Sequence, residues 1–263
     1  MIKTLVSCLM AMAITSCGEF NYSPYASNVK KENLNTKSLN SVENRSSSFT
    51  NTFKVAVISD SHDYYEELAK QVKYINNNKD EIAFVIHTGD ATNLGLKPEW
   101  NLFRDKIDEL KIPLIMGIGN HDLLSNGKDI FQKRYGKQLD YSFVFKQTKF
   151  ILINNNNWES SGMVPDLGWL EKELVASTDT HKIILGHVQP DDPERYSTKM
   201  ISDTKNLVNS FGVDYFINGH NHNPSEGTFG TAKRLTAGSS FKGKLLILEI
   251  SDAFGVQFEF VKM

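Results

Sequence analysis

Metal-donor side chains recur along this 263-residue chain in five short clusters: Asp60-Ser61-His62, Gly89-Asp90, Gly119-Asn120-His121-Asp122, Gly186-His187 and Gly219-His220-Asn221-His222. Carboxylate, imidazole and amide oxygen together suit borderline ions such as manganese, iron and zinc, and no cluster contains the Cys that a soft thiolate site would need. Taken singly, each cluster has a plainer reading. Asp60 could cap a strand end, His187 could be a satisfied core histidine, and residues 219–222 could be a polar turn. Five clusters of the same kind in one chain make a shared metal centre the better account.

Every cluster follows an apolar run with strand character, at residues 55–59, 82–86, 112–116, 183–185 and 213–218. In an open α/β sheet, ligand-binding residues gather in the loops beyond the carboxyl ends of the strands. Apolar strands would fix the backbone while short glycine turns aim the donors, so that residues as far apart as Asp60 and His222 converge. Helical patterns alternate with these runs. Tyr65, Leu68, Ala69 and Val72 follow an Asp63–Glu66 capping-box spacing, which makes Asp63 a cap rather than a further ligand. Trp100, Phe103, Ile107 and Leu110 line a second helix face, and Leu167, Leu170 and Leu174 a third. Residues 141–145 and 150–153 read as a hairpin. Segments 228–235, 244–250 and 256–261 are expected to complete a second sheet. The pattern predicts an α/β (α+β) fold.

The composition, 40% hydrophobic and 11% aromatic, describes a chain able to bury a full core. Residues 1–17 place Lys3 before an apolar run too short to span a bilayer, and read as a secretion signal. The run ends in Ile14-Thr15-Ser16-Cys17, which resembles a bacterial lipobox with Cys17 as the lipidated residue. Cys8 would leave with the signal, so no disulfide is expected. Residues 18–52, rich in Asn, Ser and Lys, read as a flexible tether, and 53–263 as one domain. The chain carries −2; without Lys3 this becomes −3, and residues 18–52 carry +1, so residues 53–263 carry −4. An acidic domain fits duplex nucleic acid poorly and favours a small substrate.

The ordered set D-x-H, G-D, G-N-H-D, G-H, G-H-x-H, from about Phe53 to near the C-terminus, resembles the calcineurin-like metallophosphoesterase superfamily. That resemblance implies a four-layer αββα sandwich, two mixed sheets flanked by helices, and a centre of two divalent ions (Mn, Fe or Zn). One ion would take Asp60, His62, Asp90 and His222; the other would take Asp90, Asn120, His187 and His220, with Asp90 bridging. Two aspartates against two divalent ions leave the centre cationic, with room for a bridging hydroxide and an anionic phosphoryl group.

His121 resembles the family imidazole that contacts the phosphate and protonates the departing oxygen, a role suited to a side chain titrating near pH ~6.5. Many relatives have an Asp where this chain has Asn93, which can accept a hydrogen bond but adds no charge, so His121 is expected either to be a weaker acid or to lean on Asp122. His87 and His181 match no ligand position and read as structural. Asn156, Asn157, Trp158 and residues 189–196 are placed to shape a substrate pocket; Arg195 could pair with a second phosphate there, but between Glu194 and Tyr196 it is read as a solvated charge. The pattern also resembles the cyclic nucleotide phosphodiesterase branch. These readings predict a membrane-tethered, extracytoplasmic phosphoesterase acting on phosphomonoesters or phosphodiesters, with nucleotides among the candidate substrates; the alternative is a non-catalytic metal-binding scaffold of the same fold.

Overall fold

In a computed structural model of the chain, residues 23–263 are described, and the signal segment with Cys17 lies outside them. Helix α1 (Leu34–Arg45) precedes strand β1 (Thr52–Ile58), helix α2 (Tyr65–Asn77), β2 (Ile82–His87), α3 (Lys97–Ile107), β3 (Leu114–Met116) and α4 (Gly127–Arg134). Then come β4 (Tyr141–Phe145), β5 (Thr148–Leu152), α5 (Leu167–Val175), β6 (His181–Leu185), α6 (Thr198–Ser210) and β7 (Tyr215–Asn218). Strands β8 (Ser225–Phe229), β9 (Ala232–Thr236), β10 (Lys244–Ser251) and β11 (Gly255–Lys262) finish the chain. Among the described residues, no helix is long and apolar enough to cross a membrane.

Two mixed sheets result, ordered β11-β10-β1-β2-β3 and β4-β5-β6-β7-β9-β8. The period-2 alternation of each strand divides its side chains between two cores. Val55, Val57, Phe84 and Ile86 of the first sheet meet Phe150, Leu152, Ile183, Leu185 and Ile217 of the second in a shared inner core. Their neighbours Ala56, Ile58 and Val85 face outward onto Leu68, Val72 and Ile75 of α2, Trp100 and Phe103 of α3, and Ile130 and Phe131 of α4. Ile151, Ile184 and Phe216 do the same for the second sheet, against Leu170 and Leu174 of α5 and Val208 of α6. The order is helices, sheet, sheet, helices: the four-layer sandwich.

Three expectations need correction. Segments 244–250 and 256–261 do not complete the second sheet. β10 pairs antiparallel with β1, and β11 with β10, so both extend the first. Segment 228–235 is instead two strands of a hairpin, β8 and β9, at the edge of the second sheet. Asp63 is not a helix cap, because α2 starts at Tyr65 after an N-cap position held by Tyr64 without a side-chain bond.

The third correction concerns the tether. Residues 34–52 are part of the globule: α1 lies along the edge strand β3, where Asn35 Nδ2 donates to Met116 O at 2.9 Å and Asn35 Oδ1 accepts from Met116 N at 2.9 Å. Arg45 donates to the carbonyls of Ala83 (3.0 Å) and Lys79 (2.9 Å), and Val42 and Phe49 enter the inner core. An edge strand presents unpaired backbone groups, and here a side-chain amide supplies their partners. The attachment is mixed, which is why this stretch shows no sustained apolar period.

Candidate metal centre

All five sequence clusters lie at the carboxyl ends of parallel strands: β1, β2 and β3 of the first sheet, β6 and β7 of the second. The first-sheet loops are zipped to one another by their own backbones. Asp60 N donates to Gly89 O (3.0 Å), His62 N to Asp90 O (3.1 Å), and Gly117 N to His87 O (2.7 Å). The second-sheet loops are joined the same way, Gly219 N to His187 O at 3.0 Å. Bonds then cross between sheets: His220 N donates to both Asp60 oxygens at 3.1 Å, and Asn156 Nδ2 to Ile118 O at 2.9 Å.

The close approach of these turns explains their glycines. A Cβ on Gly119 would stand 2.1 Å from Asp90 Oδ1 and 2.2 Å from Asp90 N, and one on Gly219 would stand 1.9 Å from Ser59 Oγ. The donors themselves carry the conformational cost. Asp60 (φ 49°), His62 (45°), Asp90 (57°), His220 (66°) and His222 (56°) are all left-handed, a region that non-glycine residues occupy only when the surroundings over-determine it, most often at functional sites.

The donors gather as two groups. Ligand atoms of Asp60, His62 and His222 lie within 4.8 Å of one another, and so do those of Asp90, His187 and His220. Asn120 joins the second group, its Oδ1 2.9 Å from His220 Nδ1. The groups share a border: His62 Nε2 is 3.7 Å from Asp90 Oδ2, and His187 Nε2 is 4.0 Å from Asp60 Oδ1. Thus all seven predicted donors converge. His62 and His187 each set one ring nitrogen against a backbone carbonyl, Nδ1 to Thr92 O at 3.1 Å and Nδ1 to Thr88 O at 3.2 Å. That leaves Nε2 of each aimed inward, the arrangement by which outer partners orient a ligating imidazole.

Electrostatics favour a cation here. Asp60 and Asp90 are fully buried, and their ion-pair partners are imidazoles. Burial pushes the Asp60 carboxyl up, and the Asp90 charge adds to this. Burial alone would also raise Asp90, but the imidazoles of His187, His121 and His62 pull it below the ordinary carboxylate range. Burial would lower His187, yet the charges of Asp90 and Asp60 outweigh it and raise this imidazole to about 9. In effect a proton on His187 supplies the positive charge that the two carboxylates demand. His187 Nε2 is buried without a hydrogen-bond partner, although Asp90 Oδ2 lies 3.1 Å away. Burial holds His62 low against the pull of Asp90 and Asp60, and burial with the charges of His187 and Arg195 holds His220 at about 4, which favours the neutral ligand form of both. An orphaned buried nitrogen between two enclosed carboxylates, with neutral imidazoles around them, fits divalent ions.

His121 stands beside this cluster, its ring centroid 5.0 Å from that of His62. Its backbone N donates to Asp90 Oδ1 at 2.8 Å, and Nδ1 lies 2.6 Å from Asn93 O. The position that holds Asn93 therefore orients this ring through its backbone carbonyl. Asp122 does not support the His121 ring, contrary to expectation. Its carboxylate accepts from Thr92 N (3.1 Å), Thr92 Oγ1 (2.9 Å), Gly119 N (3.1 Å) and Ala91 N (3.3 Å), pinning the Asp90 loop to the Asn120 loop. Burial and Asp90 push Asp122 up to about 7, against those bonds.

Other residues were not legible as parts of the site. Asn155 Oδ1 accepts from His187 N (2.7 Å) and Val188 N (3.1 Å) and covers Gly186. Ser239 Oγ donates to Asp60 O at 2.9 Å. Neither follows a recognisable motif; an Asn run after a strand was the only signal for Asn155. His87 takes Ser61 Oγ at 2.9 Å and Gly89 N at 3.1 Å, and burial with the nearby His187 lowers it to about 3. His181 lies on β6, 3.6 Å from Asp214, outside the cluster. Arg195 is not a solvated charge. Its guanidinium bonds both oxygens of Glu159 (3.0 and 3.2 Å), lies 4.1 Å over the Trp158 ring, and reaches 3.4 Å from His220 Nε2.

The calcineurin-like phosphoesterase family model matches residues 53–224. The chain belongs to this family. A protein of Arcobacter nitrofigilis named "Probable glycerophosphodiester phosphodiesterase GpdQ" is 29% identical over 135 residues, 49% of this chain and 50% of that protein. This chain therefore spans about half the length of that relative. One of Xenorhabdus bovienii named "Probable cyclic nucleotide phosphodiesterase" is 24% identical over 185 residues, 62% of this chain and 70% of that protein. Among solved structures, GAP50, described as the anchor in the inner membrane complex of Plasmodium, superposes with a TM-score of 0.64 at 16% identity, covering 81% of this chain and 85% of its own. At that identity the match speaks for the fold alone. Both groups of candidate metal donors lie within the stretch that the family model matches.

Proposed function

We propose that this chain hydrolyses small phosphodiesters at a dinuclear centre, with Asp60, His62, Asp90 and His222 holding one ion and Asp90, Asn120, His187 and His220 the other. The observation that carries the reading is the pair of donor groups, each within 4.8 Å, meeting along the Asp60–His62–Asp90–His187 border. Two divalent ions at such a spacing would supply Lewis-acid charge for the phosphoryl oxygens and make water a nucleophile at neutral pH. The diester preference is drawn from the names of the two curated relatives.

The protein's own part is positioning and proton transfer. Left-handed turns locked by cross-loop bonds hold the donors before substrate arrives, so little reorganisation accompanies reaction. His121 sits next to both groups with Nδ1 tied to the Asn93 carbonyl. Nδ1–H donates to that carbonyl, which leaves Nε2 as the atom that contacts the phosphoryl group and gives its proton to the departing oxygen. Asp122 keeps that ring in register indirectly, by joining the two loops on which Asp90 and His121 ride.

The domain is further proposed to work outside the cytoplasm on a membrane tether, a reading supported by the apolar run before Cys17. Cys17→Ser should release the protein from the membrane fraction; retention there would count against lipidation.

The activity is tested with manganese-loaded protein on p-nitrophenyl phosphate and bis-p-nitrophenyl phosphate, with Asn120→Ala and His121→Ala alongside. Faster turnover of the diester that collapses in both variants is the expected result. Metal binding without turnover of either ester, or of cyclic nucleotides, would shift the reading to a non-catalytic scaffold.

A further inference from the structure

The mouth of the centre is walled on one side by residues that the ligand motifs do not include. Trp158 follows β5, and its side chain stands 58% exposed. Arg195 comes from the loop after β6, and its guanidinium carbon lies over the Trp158 ring, 4.1 Å from the ring centroid. Glu159 grips the same guanidinium through Nη1, and both partners of that pair are largely enclosed, at 11% and 16% exposure. Nη2 is the end that faces the centre, 3.4 Å from His220 Nε2. The supporting loop is fastened along its length: Asn221 Nδ2 donates to Gln189 Oε1 at 2.7 Å, Arg234 pairs with Asp191 at 2.9 Å, and the Tyr196 hydroxyl donates to Asn155 O.

This arrangement is costly unless it is used. A guanidinium held by a carboxylate and an indole loses its rotational freedom in advance, so little further entropy is lost when it binds an anion. His220 turns Nδ1 toward Asn120 Oδ1, the side on which it would hold an ion. Nη2 carries two hydrogens, so its contact with His220 Nε2 leaves one to donate elsewhere, beside the space in which a phosphoryl group at the centre would lie. One face of the Trp158 ring is covered by Arg195, and the exposed remainder is a flat surface beside the same space.

We infer that Arg195 and Trp158 form the specificity subsite of this centre: Arg195 Nη2 donates to a non-bridging phosphoryl oxygen, and the open face of Trp158 stacks on a nucleobase carried by the ester. The inference rests on the phosphoesterase reading above and narrows its substrate class to nucleotide esters. Neither residue supplies a metal ligand or a proton, so both act on binding. Arg195 should discriminate phosphoryl groups from neutral ones, whereas Trp158 should discriminate nucleotides from sugar phosphates. Stacking of a base on an aromatic side chain contributes enough for about a tenfold preference or more.

The test is equilibrium binding to the full chain loaded with manganese, titrated with AMP, ribose 5-phosphate and inorganic phosphate, without turnover. The parent should bind AMP about tenfold more tightly than ribose 5-phosphate. Trp158→Ala should remove that preference while leaving ribose 5-phosphate and phosphate unchanged, and Trp158→Phe should restore part of it. Arg195→Met should weaken all three ligands alike, with Arg195→Lys intermediate. Trp158 is exposed, so its variants test the stacking claim even if an Arg195 variant fails to fold. Equal affinity of the parent for AMP and ribose 5-phosphate, or a preference that survives Trp158→Ala, would overturn the inference while leaving the phosphoesterase reading intact. A manganese-loaded parent that binds none of the three anions would overturn both.

Discussion

The two donor groups are built from the same residue types and share one burial profile, two enclosed donors and one half-buried histidine, but they differ in how that histidine is held. In the group of Asp90 and His187, His220 has Nδ1 2.9 Å from Asn120 Oδ1 and Nε2 3.4 Å from Arg195 Nη2. In the group of Asp60 and His62, the His222 side chain is 46% exposed and its ring meets Asp60 at 3.4 Å and His62 at 3.3 Å, both candidate donors themselves. A ring fixed from outside its group over-determines donor orientation, so the Asp90 group should hold its ion more tightly while the Asp60 group exchanges. Sequence spacing gives no hint of this difference, because His220 and His222 belong to one G-H-x-H run.

The largest effect should come from a residue that belongs to neither group. His121→Ala should lower kcat by about 100- to 10,000-fold with metal content unchanged in both, measured by steady-state kinetics beside elemental analysis. A matching loss of metal would make His121 a ligand. Next, Gly119→Ala forces a Cβ to 2.1 Å from Asp90 Oδ1 and displaces the residue proposed to bridge the two ions. Activity should fall at least about 100-fold, with both ions weakened together; loss of one alone would break the shared-border account.

The difference in fixation is sharpened by paired truncations. His222→Ala should leave one tightly held ion per chain, whereas His187→Ala should weaken both, because it also removes the imidazole against Asp90. Affinity at the Asp60 group should fall about 10- to 100-fold in the second variant, as when an orienting partner is removed. If the two variants retain equal metal, fixation does not distinguish the sites.

Two smaller effects separate scaffold from centre. Asn35→Ala leaves Met116 N without its side-chain partner on the edge strand, while Met116 O keeps the Tyr141 hydroxyl at 2.6 Å, and should cost about 1–3 kcal/mol in urea unfolding, with metal content unaltered. Asp140 accepts from Asn154 N at 2.7 Å, and burial raises its carboxyl from 3.8 to about 6. Folding thus favours its protonated form. Its contribution is complete below about pH 4 and is lost as pH rises through about 6. Asp140→Asn should therefore gain stability over the parent at pH 7 and little at pH 4, read from urea midpoints at both.

Legibility followed the same division. All seven donors and His121 were readable because strand-end glycine turns and donor residues leave local marks, and because their order resembles a known family. The tethering of the loops was not. Asp122 and Asn93 were singled out, but Asp122 serves backbone N–H groups and Asn93 works through its carbonyl, a group every residue has. Asn155 and Ser239 act through single hydrogen bonds to residues distant in sequence. α1 escaped notice because its docking is mixed: Leu39 and Val42 meet the inner core, but Asn35 and Arg45 bond backbone groups where a continuous apolar stripe would have been visible. The last two strands, residues 244–250 and 256–261, were found but assigned to the wrong sheet, since alternation defines a buried face without naming the partner strand.

The central claim, that two ions share this centre and act together, is tested most directly by titrating the metal-stripped chain with manganese while following both heat and hydrolysis of bis-p-nitrophenyl phosphate. Two ions should bind per chain, the first more tightly, with hydrolysis rising as the second site fills. Saturation at a single ion, or full activity after the first, would contradict the account.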